Sequence, residues 1–479
     1  MSGTDSRGAR RPGSAPDGIE DALRELYDKK GAMKPRFQVD SGLTPEIISA
    51  ISDEKGDPQW MREFRQESLA IYGETPPPDW GPPLEGLDMD RIVTYVRPDA
   101  RMEARWEDVP DEIKDTFERL GIPEAERTGL AGVGAQYDSE VVYHSVKREV
   151  SELGVVYTDM DTALRGEYGG MVRRHFMKLL TPREHKFMAL HGAVWSGGSF
   201  VYVPDGVEVA IPLQSYFRFN AAGAGQFEHT LIIVGKGASL HFIEGCSAPK
   251  YNVANLHAGC VELFVGEGAR LRYSTIENWS KNMYNLNSKR AAVEKNGIIE
   301  WVSGSFGSHT GCLYPMSVLR GEGARMDYTG ITFAGAGQTL DTGAQVIHAA
   351  KNTSSRISAK SISKGGGKST FRGGITVNRE ASGCRVSVSC DSLMLDSRSR
   401  SDTVPVLDVR CDDVDIGYEA KIGRISEQAI YYLMSRGISE DDAKAMIVNG
   451  FAEPISKELP LEYAVEMNNL ISLEMKGNT

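Results

Sequence analysis

Between about residue 195 and residue 424, apolar and polar residues alternate in short runs separated by glycine-containing turns. Leu240 and Phe242, and again Leu271 and Tyr273, fall on one face of an extended strand, where side chains repeat every second residue. Three runs open on the same phrase: Gly235-Lys-Gly-Ala-Ser-Leu240, Gly266-Glu-Gly-Ala-Arg-Leu271 and Gly321-Glu-Gly-Ala-Arg-Met326. With the fourth residue as marker, Ala238, Ala269 and Ala324 join weaker echoes at Gly297, Ser355, Cys384 and Asp413, at intervals of 31, 28, 27, 31, 29 and 29 residues. A period of that size predicts a solenoid. One coil cannot bury its apolar face alone, whereas stacked coils share a continuous core and satisfy one another's backbone groups. The expected fold is therefore mainly β, a parallel β-helix. An antiparallel sandwich with glycine turns is the alternative, but it does not require so even a recurrence.

The pattern on either side is helical. Residues 19–192 lean towards helix, with apolar residues at helical spacing over 138–153 and 166–180, and Thr75-Pro-Pro-Pro-Asp-Trp-Gly-Pro-Pro83 reads as an extended linker. After the strands, helices are expected over 425–436, from the capping signal Ser439-Glu-Asp-Asp442 to Asn449 with a stop at Gly450, and over 461–475. They would cap the solenoid or dock a partner. The expected organisation is a disordered tail over 1–18, an N-terminal mainly helical region over 19–192, a β-helix core over 193–424 and a C-terminal helical region over 425–479.

Charge and cysteine usage narrow the possibilities. The 66 acidic residues against 54 basic ones give a net charge of −12, which disfavours nonspecific nucleic-acid binding. Residues 1–18 lack the apolar centre of a signal peptide, and runs such as Leu231-Ile-Ile-Val234 are too short to span a bilayer, so a cytoplasmic protein is expected with no membrane partner. Six scattered cysteines with no C-x-x-C pair argue against a disulfide framework and against a preformed zinc or ferredoxin-type site.

Several catalytic signatures fail. Ser363-Lys-Gly-Gly-Gly-Lys-Ser369-Thr370 has Ile362 where a phosphate loop needs glycine, and the glycine phrases place Leu240, Leu271 and Met326 where a dinucleotide fingerprint ends in glycine. No H-E-x-x-H occurs, and nine histidines lie between His144 and His348 without paired spacing. A β-helix carbohydrate enzyme would need clustered carboxylates; the one dense group, Asp412, Asp413 and Asp415, reads as a solvated turn.

Several strings together resemble one family: His191-Gly-Ala-Val-Trp-Ser-Gly-Gly-Ser-Phe-Val-Tyr-Val-Pro204, Tyr216-Phe-Arg-Phe-Asn220, Gln226-Phe-Glu-His-Thr230, Ile243-Glu-Gly-Cys-Ser-Ala-Pro249, Tyr273-Ser-Thr-Ile-Glu-Asn-Trp279 and Met446-Ile-Val-Asn-Gly-Phe451. The chain resembles the SufB family, the scaffold subunits of the SUF iron–sulfur cluster assembly system. The resemblance covers nearly everything after about residue 125. It implies a right-handed β-helix with helical flanks, the C-terminal one docking the ATPase SufC, so that ATP hydrolysis belongs to a partner. Further implied partners are SufD or a second copy of the chain, a cysteine desulfurase or sulfur relay protein, and apoprotein acceptors. The implied cargo is a transient iron–sulfur cluster of 4Fe–4S type, with reduced flavin as an electron source in some members. A SufD-like structural partner is the alternative, although it would not need the cysteines that follow.

By the same resemblance Cys246 is the sulfur acceptor, a role that suits a thiolate able to carry a persulfide. Cys390, in Val386-Ser-Val-Ser-Cys-Asp-Ser-Leu393, matches the family's cluster-site cysteine, and Glu419, 29 residues later, its glutamate. Tyr418 stands where the family has histidine, which leaves the ligand set open, with the phenol as a further candidate. Arg218, Asn220, Glu277, Trp279 and Lys289 match residues implied to line a sulfur-transfer route inside the β-helix, and Glu277 occupies a position where glutamine is common.

Overall fold

The computed structural model describes residues 28, 30–31, 34–119, 130–459 and 461–476; the expected tail over 1–18 lies outside them. Two long sheets face each other as a parallel β-solenoid of about eight turns. In chain order the first sheet runs through Gly132–Tyr137, Leu213–Arg218, Ser239–Ser247, Arg270–Asn278, Ile298–Phe306, Arg325–Ala334, Ser354–Ser363, Cys384–Met394 and Val414–Arg424. The second includes Ser199–Val203, His229–Val234, Cys260–Val265, Met283–Val293, Thr339–His348, Lys368–Val377 and Arg400–Val409.

The repeating phrase sets the turns. The residue before the marker adopts positive φ at Gly237, Gly268, Gly323 and Gly383, and at two of the turns where glycine is missing asparagine takes its place, Asn296 and Asn352. Asparagine tolerates this left-handed region better than other side chains. Ser239, Arg270, Ile298 and Arg325 are accordingly in register, one residue after their markers. Two markers slip: Arg325 pairs with Ser354, which makes Thr353 rather than Ser355 the fifth, and Cys384 pairs with Val414, one residue past Asp413.

Period-two alternation then separates two environments. Leu240, Phe242, Leu271 and Tyr273 fill the space between the sheets. Ile243, Ile276, Val302, Ile331 and Ile362 face the other way, into an apolar layer shared with helices Asp111–Arg119, Glu427–Ser435, Glu440–Ser456 and Leu461–Lys476. Helices Pro45–Lys55, Gln59–Glu74 and Lys186–Val194 cover the outer face of the second sheet.

Two helical expectations fail. Residues 138–153 form strand Glu140–Val146, antiparallel to Gly132–Tyr137, and a short helix Arg148–Glu152; pairing with the first sheet outweighs the helical spacing. The helix expected to stop at Gly450 continues to Ser456, because Ala452 and Ile455 bury in the apolar layer, a gain that outweighs the roughly 1 kcal/mol glycine costs inside a helix. The segment Lys364–Gly367 is a turn between two strands, with Gly365 and Gly366 at positive φ.

Candidate functional site

Midway along the solenoid the apolar filling gives way to ionisable groups. Beyond Phe242 the inward alternation of Ser239–Ser247 continues to Glu244 and Cys246, and that of Arg270–Asn278 to Thr275 and Glu277; the register pairs Glu244 with Thr275 and Cys246 with Glu277. Lys289, from Met283–Val293 of the facing sheet, places its Nζ 3.0 Å from Glu244 Oε1, 3.2 Å from Thr275 Oγ1 and 3.7 Å from Glu277 Oε1. The Tyr273 phenol donates to Glu244 Oε2. Asn285 Nδ2 donates to Glu277 Oε2 at 2.7 Å, His257 Nδ1 lies 2.7 Å from Asn285 Oδ1, and His257 Nε2 lies 2.5 Å from Glu228 Oε1. The Trp279 ring packs on His257 with centroids 4.4 Å apart. All of these groups are buried.

The electrostatics follow from burial and pairing. Desolvation disfavours the Lys289 ammonium, yet Glu244 and Glu277 outweigh it and hold its pKa above the ordinary value. His257 is likewise raised, burial being overcome by Glu228. Burial pushes the Cys246 thiol well up, and Glu244, Glu277 and Glu228 add to the shift against the opposing charge of Lys289. In the resting chain Cys246 is therefore a protonated thiol beside a charged lysine.

Arg218 and Asn220 sit elsewhere. Arg218 ends strand Leu213–Arg218 on the face opposite Phe217, and its Nη1 donates to Ser247 Oγ at 3.0 Å, one residue from Cys246 on the other side of the sheet. Asn220 bonds the Gly31 backbone through its side chain, and its own N–H donates to Asp138 Oδ1 at 2.5 Å. Glu277 and Lys289 thus share the interior, Trp279 closes one side of it, and Arg218 and Asn220 lie behind its wall.

At the last coils, Cys390 faces inward with its Sγ 3.2 Å from Thr403 Oγ1. Glu419 pairs with Ser389 rather than Cys390, so it projects from the opposite face; its side chain is 61% exposed and 2.9 Å from Lys421 Nζ. Tyr418 shares the inner face with Cys390, in space left by Gly373, where an added Cβ would lie 2.6 Å from the phenol oxygen. Burial and the Cys390 charge push the Tyr418 hydroxyl up to about 12. Val406, Leu407, Val409 and Ile422 leave this end of the solenoid apolar and exposed.

A family model described as "SUF system FeS cluster assembly, SufBD core domain" matches residues 217–451. The iron–sulfur cluster assembly protein SufB of Bacillus subtilis is 51% identical over 442 residues, covering 92% of this chain and 95% of that protein. The chain belongs to the SufB and SufD family. SufBD family proteins of Staphylococcus epidermidis and Staphylococcus aureus are 50% identical over the same shares of chain and relative. The family's work is iron–sulfur cluster assembly within the SUF system, which ties this chain to iron–sulfur cluster chemistry. Among the described residues no helix is long and apolar enough to cross a membrane.

Glu228, Glu244, His257, Thr275 and Asn285 were not singled out from the sequence. The signal for two of them was present: extending the alternation from Leu240 and Phe242, and from Leu271 and Tyr273, by one more step reaches Glu244 and Thr275.

Proposed function

We propose that the chain is a cluster-assembly scaffold of SufB type that receives sulfur at Cys246 and builds a 4Fe–4S cluster near Cys390 and Glu419 for transfer to acceptor apoproteins. One feature supports this reading most: a continuous buried file, Glu228, His257, Asn285, Glu277, Lys289 and Glu244, runs through the solenoid beside Cys246. Within it the Lys289 ammonium is the group that favours anionic sulfur, while the carboxylates and the imidazole relay protons where an ordinary core is apolar.

In the first step the Cys246 thiol loses its proton to the file and attacks the terminal sulfur of a persulfide on a desulfurase or relay protein. A new S–S bond forms at Cys246, and the donor's S–S bond breaks to release the donor thiolate, so the step is redox-neutral. Conversion of sulfane sulfur to sulfide takes two electrons, for which reduced flavin is the proposed donor. Cys390 supplies a thiolate to iron, and Glu419 reaches in from the outer face at the exposed end, with Tyr418 as a neutral neighbour.

The scaffold does not itself hydrolyse ATP; the partner SufC does so, docked on the C-terminal helices, where Tyr431, Tyr432 and Met446 are 74%, 57% and 54% exposed. SufD or a second copy of the chain covers the apolar last coil, and the complex works in the cytoplasm. The deciding test is transfer of labelled sulfur from a desulfurase to the wild type and to Cys246→Ser. Label on the wild type alone is expected, and equal labelling of the variant overturns the assignment.

A further inference from the structure

A second group of chemistry-bearing side chains lies on the outer face of the second sheet, beneath the N-terminal helices and away from the interior file. His229 and Cys260 are register partners on adjacent strands, and His191 comes from helix Lys186–Val194 packed over them. All three are fully buried, and one ligand atom from each lies within 4.8 Å of the others. We propose that His191, His229 and Cys260 form a buried binding site for a divalent metal ion of the zinc class.

The hydrogen bonds orient both imidazoles for that task. His191 Nδ1 lies 2.9 Å from the Ala258 carbonyl, which makes it the N–H and leaves Nε2 as a lone pair pointing at His229 Nδ1, 3.0 Å away. His229 Nε2 lies 3.2 Å from Glu262 Oε2 but makes no well-directed hydrogen bond there. Without a metal, a neutral His229 that donates from Nδ1 to His191 turns a bare Nε2 lone pair towards a carboxylate. With a metal between His191 Nε2 and His229 Nδ1, the His229 proton moves to Nε2 and faces Glu262. Both ligands then have the outer partner that metal-bound histidines usually show, a backbone carbonyl for one and a carboxylate for the other.

Glu262 is fixed for this role. Its carboxylate accepts from the backbone N–H groups of Met177, Leu179 and Leu180 at 2.5, 2.6 and 3.1 Å, so it cannot swing away from His229. Bonds of about 2.0 Å to nitrogen and about 2.3 Å to sulfur place tetrahedral ligand atoms roughly 3.3–3.6 Å apart; the two histidine nitrogens, 3.0 Å apart, are within a few tenths of an ångström of that, and the Cys260 sulfur, within 4.8 Å of them, closes onto the ion by a small adjustment of its side chain. Binding releases the Cys260 thiol proton, and the dication is then balanced by one thiolate and the Glu262 carboxylate. Two imidazoles and a thiolate suit zinc, with the fourth tetrahedral position left to water.

The full-length chain is refolded with Zn2+ or Co2+, desalted, and read by metal analysis and absorption. About one equivalent of metal is expected, with cobalt giving a thiolate charge-transfer band and tetrahedral d–d bands. The band should vanish in Cys260→Ser and persist in Cys246→Ser and Cys390→Ala, and Glu262→Gln should weaken Zn2+ retention roughly 10–100-fold. A wild type that folds without retaining metal overturns the proposal whatever the variants do. So does a band that survives Cys260→Ser but is lost with Cys390→Ala. If Cys260→Ser does not fold, His191→Gln takes its place with the same expected loss.

Discussion

Replacing Lys289 with methionine keeps the aliphatic stem but removes the ammonium that lies 3.0 Å from Glu244 and 3.7 Å from Glu277, both at most 1% exposed. Two buried carboxylates would then lose the ammonium between them, and the remaining cation, His257, is already paired with Glu228. Breaking a buried ion pair by removing one partner costs about 3–5 kcal/mol, because the desolvation of the remaining charge is no longer offset. The Tyr273 and Asn285 hydrogen bonds survive the change and place the expected loss near the middle of that range, about 4 kcal/mol, or nearly a thousandfold in the folding equilibrium. Urea unfolding followed by tryptophan fluorescence at pH 8 measures it. Lys289 is raised on folding, so its own contribution is complete below its unfolded pKa of about 10.4 and fades only as pH climbs through the higher folded value. The wild type therefore loses nothing through Lys289 at pH 8. A second substitution distinguishes this cause from lost packing: adding Glu244→Gln should restore roughly half of the loss at pH 8. A cost below about 1 kcal/mol, or the same cost in the double variant, refutes the electrostatic account of the file.

Four further outcomes follow from the same geometry. Native Cys246 should alkylate far more slowly than a free cysteine at pH 8, because burial and three glutamates hold it as a thiol; rapid alkylation of the folded chain would contradict this. In a complementation assay Cys390→Ala and Glu419→Ala should each lose most cluster assembly while Tyr418→Phe retains it; a Tyr418→Phe variant as inactive as Cys390→Ala would make the phenol a ligand. Tyr431→Asp with Tyr432→Asp should abolish co-purification of the ATPase without unfolding the chain, since both side chains face solvent, whereas deleting residues 426–479 also strips an apolar layer from the first sheet. His348, fully buried between Thr353 and Ser355, is held down to about 4 by burial, so it favours folding above its ordinary pKa of 6.5 and loses that contribution as pH falls towards 4. His348→Gln should accordingly flatten the acid limb of the stability profile by roughly 2 kcal/mol at pH 5; an unchanged acid limb would rule His348 out as its cause.

The solenoid was legible in the sequence because a repeating coil writes its geometry locally. Each turn needs a left-handed residue, each strand alternates every second residue, and both requirements recur with the period. That is why Ala238, Ala269, Gly297 and Ala324 marked true register partners, and why the markers slipped only where the phrase decayed, at Ser355 and Asp413. The family strings carried Cys246 and Cys390 for a similar reason, as contiguous residues around a single thiol. Which side of a wall a residue faces was decided by the tertiary structure. Arg218 and Glu277 both belong to strands lining the interior, yet one residue of offset sends Arg218 behind the sheet and brings Glu277 onto Lys289. The same offset separates Glu419 from Cys390, although one repeat period lies between them. The His191, His229 and Cys260 group shows the limit most clearly. The 31 residues from His229 to Cys260 equal one coil and were visible in principle, but His191 arrives on a helix whose docking no period encodes. Local sequence fixes turns and alternation because those depend on near neighbours; the convergence of a helix, two strands and a caged carboxylate depends on packing between distant segments, and only the folded chain supplies it.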